Sequence, residues 1–121
     1  MKEKIGEFSS DVVKVLNLDV TAGTAIYIGE TNIRHMKERH PRDFRKYFNR
    51  IEKIVSAPDY VGISPDDASI EFIKELSKNV KVAVRIAGDG DFYARSLYEI
   101  HANRVSNFIK DRKLFVIDKT K

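Results

Sequence analysis

Four β-rich runs follow one another between Tyr60 and Ile100: YVGI (60–63), SIEFIKEL (69–76), VKVAVRIA (80–87) and DFYARSLYEI (91–100). The breaks between them are short and polar, which suits hairpins rather than crossover helices, so an antiparallel β-meander is expected. Ser64-Pro65-Asp66-Asp67 supplies one turn. Asp89-Gly90 is the strongest hairpin signal in the chain and suits a primed two-residue turn. LFVI (114–117) could add an edge strand.

The flanking segments read as helices, with one strand among them. SSDVVKVL (9–16) places Val12, Val13 and Leu16 at helical spacing behind a Ser9 or Ser10 cap. TAIYIG (24–29) alternates with period two, a strand signal. Thr31 or Asn32 could cap a short helix ending near Arg39. Pro41 disfavours the α region at His40 yet suits a first helical position, so the helix should break and restart there. From Arg42 the residues Phe44, Tyr47, Phe48, Ile51 and Val55 form one apolar stripe, which predicts a single helix of three turns or more, ended by Ala57-Pro58-Asp59. A closing helix from about His101 to Lys110 would bury Val105, Phe108 and Ile109. The expected fold is α+β: N-terminal helices packed on one face of a four-stranded, or slightly larger, antiparallel β-meander, with a C-terminal helix, in a single domain spanning 1–121.

Composition narrows the function classes. No apolar run approaches the roughly 20 residues of a membrane span, and MKEKIGEF lacks the apolar core of a signal peptide, so a cytoplasmic protein without a membrane partner is expected. The absence of cysteine removes disulfides and thiolate chemistry. The net charge of +4 is unevenly spread: Arg34 to Lys53 holds eight Lys/Arg against three Asp/Glu, while the remainder holds fourteen against fifteen. A field so focused attracts a polyanion, and the usual one is a nucleic-acid backbone; a solvated helix face is the plain alternative.

If helices cover one face of the meander, the other is open to a ligand. Along β-rich VKVAVRIA, Lys81, Ala83 and Arg85 share one face and Val82, Val84 and Ile86 the other. In the next run strict alternation groups Phe92, Ala94, Ser96 and Tyr98 against Tyr93, Arg95 and Leu97, and which set is exposed is left open. Glu71, Arg85 and either the Ser96/Tyr98 or the Tyr93/Arg95 pair are thus candidates for an open polar surface. The competing reading is ordinary cross-strand pairing, contributing about 0.2–1 kcal/mol per pair.

Two of the three histidines sit in the basic segment. His35 and His40 are five residues apart, about 140° around a helix, whereas a helical metal pair needs i, i+4 spacing. Acid–base work among Arg34, Arg39 and Arg42 is the better functional reading, since histidine titrates near neutrality and the arginines attract phosphate. Packing at the helix junction is the alternative, for His40 above all, and His101 reads as surface.

The order of these features has a likeness. A strand IYIGE, then IRHMKERHP, an amphipathic helix ending in APDYVG, further strands, and FYARSLYEIHANRVSNFIKDRKL together resemble the phage-associated branch of the barnase–EndoU–colicin–RelE nuclease superfamily over about residues 24–117. The most specific stretch is H-x-x-x-x-H-P followed by the aromatic helix.

The resemblance implies helices on a four-stranded antiparallel sheet and an endoribonuclease, of toxin or mobile-element type, needing no metal or other cofactor. Such enzymes cut by transesterification: a base takes the 2′-hydroxyl proton, the oxygen attacks phosphorus, an acid protonates the leaving 5′-oxygen, and cations stabilise the phosphorane. It implies His35 as base or acid, Glu71 as another base, Arg85 with Arg39 on the phosphate, and Ser96 and Tyr98 as polar groups on the active-site strand. His40, Arg42, Arg45 and Arg104 would contact substrate, and Tyr93 would stack a base. The expected partners are RNA, with tRNA and mRNA as candidates, and a cognate inhibitor protein. A non-catalytic nucleic-acid-binding module and a protein-interaction domain are the other two readings.

Overall fold

A computed structural model describes residues 2–119. Seven strands form one sheet: β1 (Lys2–Glu7), β2 (Ala25–Gly29), β3 (Tyr60–Ile63), β4 (Ile70–Glu75), β5 (Asn79–Ile86), β6 (Phe92–Glu99) and β7 (Leu114–Val116), in the order β1-β2-β6-β5-β4-β3-β7. The fold is α+β, but the sheet is larger than the expected four strands, and it is mixed. β2 runs parallel to β6, pairing Ile26 with Phe92 and Tyr27 with Tyr93, while every other neighbouring pair is antiparallel. β1 is the strand the sequence concealed. Only Ile5 of its residues is buried, and Lys2, Glu3, Lys4 and Glu7 are exposed charges that suit an edge.

The helices are α1 (Ser10–Leu16), α2 (Glu30–Arg39), α3 (Pro41–Tyr47), α4 (Ile51–Ser56) and α5 (Ala102–Lys110). Ser9 caps α1, its hydroxyl accepting from the Val12 N–H at 3.2 Å. α2 starts earlier than expected, at Glu30; Asn32, three residues beyond the Gly29 cap, turns its side chain back to accept from the Gly29 N–H at 2.8 Å. Pro41 occupies the first position of α3, and His40 before it adopts φ −139°, ψ 65°, outside the helical region.

The single helix expected from Arg42 is interrupted. A 3₁₀ turn at Phe48–Arg50 separates α3 from α4. α3 packs against β6, whereas α4 packs against β1, β4 and β5, so the two halves of the apolar stripe serve different parts of the sheet. Phe44 and Phe48 stack at 4.6 Å across that join.

One sheet face and the helices α1–α4 enclose the main core, where Val12, Met36, Ile54 and Val55 meet Ile26, Phe72, Val82 and Leu97. α5 packs on the opposite face, at the β4–β3–β7 end, where Val105 and Phe108 join Ile73, Ile100 and Leu114 in a second core. Gly62 permits this closure: a Cβ there would overlap the Lys113 carbonyl oxygen and come within 2.9 Å of Leu114 Cδ2. The remainder of that face is the open surface. No helix among the described residues is long and apolar enough to cross a membrane.

Two local corrections bear on the site. The turn at Asp89-Gly90 is a three-residue loop closed by the Ala87 N–H to the Asp91 carbonyl at 2.8 Å, with Gly90 at φ 87°, not a two-residue primed turn. More important is a bulge in β6. Ala83 pairs with Ser96 but Val84 pairs with Ala94, which leaves Arg95 as an extra residue. The bulge shifts the side-chain alternation by one, so Ser96 and Tyr98 join Tyr93 on the open face while Ala94 and Leu97 both point into the core. The two pairs that strict alternation set on opposite faces lie on the same one.

Candidate functional site

The open face carries a cleft of about 490 Å³ floored by β4, β5 and β6, with the loop from Ser64 to Ser69 on one side and α5 with Lys113 on the other. Two cross-strand rows build the floor. Glu71, Ala83 and Ser96 form one, and Ile73, Lys81 and Tyr98 the next. Ala83 is small, which leaves space between the Glu71 and Ser96 heads.

Lys81 is the unusual residue. It is 8% exposed, a cation in the middle of the sheet, and its ammonium donates to Glu71 Oε2 at 2.9 Å. It also lies 5.0 Å from the centre of the Tyr98 ring. Burial pushes the Lys81 ammonium towards losing its proton, but Tyr98 and the Glu71 carboxylate more than offset this, and its pKa is raised. Lys81 is therefore a largely buried positive charge, held by Glu71, with one edge on the cleft. Ion pairs this buried contribute little net stability against an apolar replacement, so their location in a cleft points to chemistry.

Tyr98 carries His40 on its ring: the two rings stack with centroids 4.6 Å apart and planes 25° apart. The local sequence explains the placement. Pro41 holds His40 out of helical geometry, and α3, which begins at that proline, is fastened to the end of β6. Tyr47 donates its hydroxyl to Glu99 Oε2 at 2.5 Å, and Asp43 Oδ2 accepts from the Glu99 N–H at 3.1 Å. The H-P pair thus delivers an imidazole to the residue next to that anchor. On the α5 side, Arg104 lies over the Phe108 ring at 5.4 Å and both line the cleft.

A second depression, of about 410 Å³, lies further along the same face and is lined by Arg85, Tyr93, Arg95 and the start of α2. The two depressions are linked where Arg85 meets Asp67 of the cleft loop at 4.0 Å. Asp67 is held below the usual carboxylate range, chiefly by hydrogen bonds from Ser69, with Arg85 adding to the effect.

Of the sequence-derived candidates, Glu71, Ser96, Tyr98 and Arg104 meet in the main cleft, and Arg85 and Tyr93 in the second depression. His40 lines neither depression and stacks on Tyr98, which lines the main cleft. His35, Arg39, Arg42 and Arg45 are exposed on α2 and α3 and line neither depression. All eight Lys/Arg of the 34–53 segment are exposed and none lines the cleft, so they form a basic flank on the helical layer. Sequence reasoning missed the importance of Lys81, and its signal was available: a lysine between valines in a strand otherwise fit for a core. Among the described residues, no group of three His, Asp or Glu side chains gathers in metal-ligating proximity.

No curated protein and no solved structure matches the chain. The family described as phage-Barnase-EndoU-ColicinE5/D-RelE like nuclease3 matches residues 3–107, which begins within β1 and ends within α5. With most of its length inside that match and a polar, cation-bearing cleft on its open sheet face, the chain belongs to the phage-Barnase-EndoU-ColicinE5/D-RelE like nuclease3 family.

Proposed function

We propose that this nuclease-family chain is an endoribonuclease that cuts by 2′-hydroxyl transesterification without a metal. The observation that carries the reading is the buried Lys81–Glu71 pair opening on the cleft beneath the Tyr98–His40 stack. Glu71 is the candidate base. It takes the 2′-hydroxyl proton as the O2′–P bond forms. Lys81, with Arg104 at the cleft wall, balances the extra negative charge of the phosphorane, where a preorganised, largely buried cation acts most strongly. Ser96 donates a hydrogen bond to a phosphate oxygen. His40 is the candidate acid, giving a proton to the leaving O5′ as the P–O5′ bond breaks, so that the products are a 2′,3′-cyclic phosphate and a free 5′-hydroxyl. His40 takes the role that the resemblance suggested for His35: neither lines the cleft, but His40 stacks on Tyr98, which does.

The test is incubation of purified protein with RNA in EDTA beside Glu71→Gln and His40→Ala. Cleavage to cyclic-phosphate ends by wild type, lost in both variants, supports the reading; cleavage that needs added metal, or that both variants retain, refutes it. The exposed basic flank favours a second reading, nucleic-acid binding without cleavage, and RNA that shifts on a gel yet stays intact would mark it.

A further inference from the structure

We infer that the second depression is a subsite for one unpaired nucleotide, and that the protein therefore takes single-stranded nucleic acid. The inference deepens the ribonuclease reading and rests on it for the direction of the strand relative to the cleft. Arg85, Tyr93 and Tyr27 stand side by side across β5, β6 and β2, each the register partner of the next. The Tyr27 and Tyr93 rings are 6.1 Å apart and tilted at 43°. Lys2 lies over the Tyr27 ring at 4.4 Å, so the aromatic ring that lines the depression beside the two guanidinium groups is that of Tyr93. Arg95, the bulged residue, is exposed and makes no ion pair among the described residues. Arg85 is held by Asp67 at 4.0 Å with both side chains more than 40% exposed, a weak pair that a phosphate can displace. Three carboxylates stand around the depression. Asp91 pairs with Lys2, Asp89 lines the depression and accepts from the Tyr93 hydroxyl at 2.6 Å, and Glu30 lines it from the first residue of α2, so the two arginines carry the phosphate contacts against Glu30.

Spacing connects this subsite to the cleft. Arg85 is two residues along β5 from Ala83, which lies between Glu71 and Ser96. Two strand residues advance roughly 6.6 Å, close to the separation of successive phosphates in an extended strand. A phosphate held above Ala83 would put its neighbour within reach of Arg85 and Arg95, and the base between them on Tyr93. A base stacked on a side chain is turned out of its helix, and duplexed nucleic acid offers no such base. Arg85 thus serves the phosphate next to the scissile one.

The experiment measures binding of a short 2′-O-methyl oligoribonucleotide, which lacks the attacking hydroxyl, and of its blunt duplex, by fluorescence anisotropy. The single strand should bind at least about 10-fold more tightly than the duplex. Tyr93→Ala should weaken single-strand binding about 10-fold and Tyr93→Phe should not, since stacking needs the ring and not the hydroxyl. Arg85→Ala and Arg95→Ala should each lower the slope of affinity against salt by about one phosphate's worth. Equal affinity for duplex, an equal loss in Tyr93→Phe and Tyr93→Ala, or an unchanged salt slope in Arg95→Ala would overturn the subsite. Because this probe cannot react, the expected binding pattern together with intact native RNA keeps the subsite and removes the ribonuclease reading. Cleavage of native RNA without strand preference does the reverse.

Discussion

His40 lies almost flat on Tyr98, ring centroids 4.6 Å apart, although the two residues are separated by α3, α4 and three strands of the chain. Pro41 sets the backbone of His40, and the Tyr47–Glu99 bond sets the distance from α3 to β6. An imidazole held in this way suits proton transfer at the cleft. His40→Ala is expected to reduce RNA cleavage by about 100-fold to 10,000-fold, the usual range for a positioned acid or base, with little change in melting temperature. His35→Ala, on the exposed side of α2, should stay within a factor of a few of wild type. Single-turnover rates on one oligoribonucleotide decide between them; an inert His40→Ala removes this residue from the chemistry.

The buried pair makes a separate prediction about stability. Lys81→Met leaves the Glu71 carboxylate without its partner in a site where the two side chains are 10% and 16% exposed. Loss of one member of such a pair costs about 3–5 kcal/mol, whereas replacing both with apolar residues is close to neutral. The double variant Lys81→Met/Glu71→Leu should therefore melt well above Lys81→Met while remaining inactive. The pH dependence follows from the raised pKa of Lys81. A raised folded-state value means that the stabilisation is fully present below the ordinary lysine value of 10.5 and disappears as pH rises through the folded one. Chemical denaturation between pH 8 and pH 11 should show wild type losing stability more steeply than the double variant at the alkaline end.

Much of this architecture is written in short-range patterns. The four runs between Tyr60 and Ile100 each carry enough β-branched and aromatic residues to declare a strand, and Pro41 declares a helix start. What escaped depends on pairing between distant segments. β1 contributes one buried residue, Ile5, and acquires its strand geometry from β2. The bulge at Arg95 exists only relative to β5, and the clue within β6 is that Ala94 and Leu97, three apart, are both inward, which alternation forbids. Lys81 and Arg85 share a face as the alternation requires, yet which of them is buried is decided by Glu71 and by α5 closing one end of the sheet. The candidate residues Glu71, Ser96 and Tyr98 were thus legible singly, while their company was not.

Gly62 tests whether the α5 wall matters to the cleft. Its neighbour in the fold is the Lys113 backbone, which cannot swing aside as a side-chain tip can. Gly62→Ala should lower stability by about 1–3 kcal/mol, the usual cost of overpacking. Relief of the clash must come from displacing Lys113 and Leu114, and Lys113 and Phe108 both line the cleft. Cleavage should fall by more than the unfolded fraction accounts for. Gly88→Ala, where an added methyl meets open space, is the control and should match wild type in both stability and rate.

Asp59 ties the end of the chain to the sheet, and its protonation sets an acid limit on that tie. Its carboxylate accepts from the Glu75 N–H at 2.7 Å and from Lys119 at 2.7 Å, while its backbone joins Ile73 and Ile117. Burial pushes the carboxyl up, but the Lys119 and Glu75 bonds together outweigh it and the pKa is lowered from 3.8. A depressed folded-state value contributes stability that is present above the unfolded value and is lost as pH falls through the folded one. Asp59→Asn keeps the shape and removes the charge, so it should cost about 1–2 kcal/mol at neutral pH, at the low end for charge-assisted bonds because the site is partly solvated. The gap between variant and wild type should narrow below pH 3.8 and close in stronger acid. Lys119→Ala should reproduce part of the loss at neutral pH and none of it in Asp59→Asn. Thermal melts of the three variants and the double from pH 2 to pH 7 measure this directly; a gap that stays constant with pH would show that Asp59 acts through its backbone bonds alone.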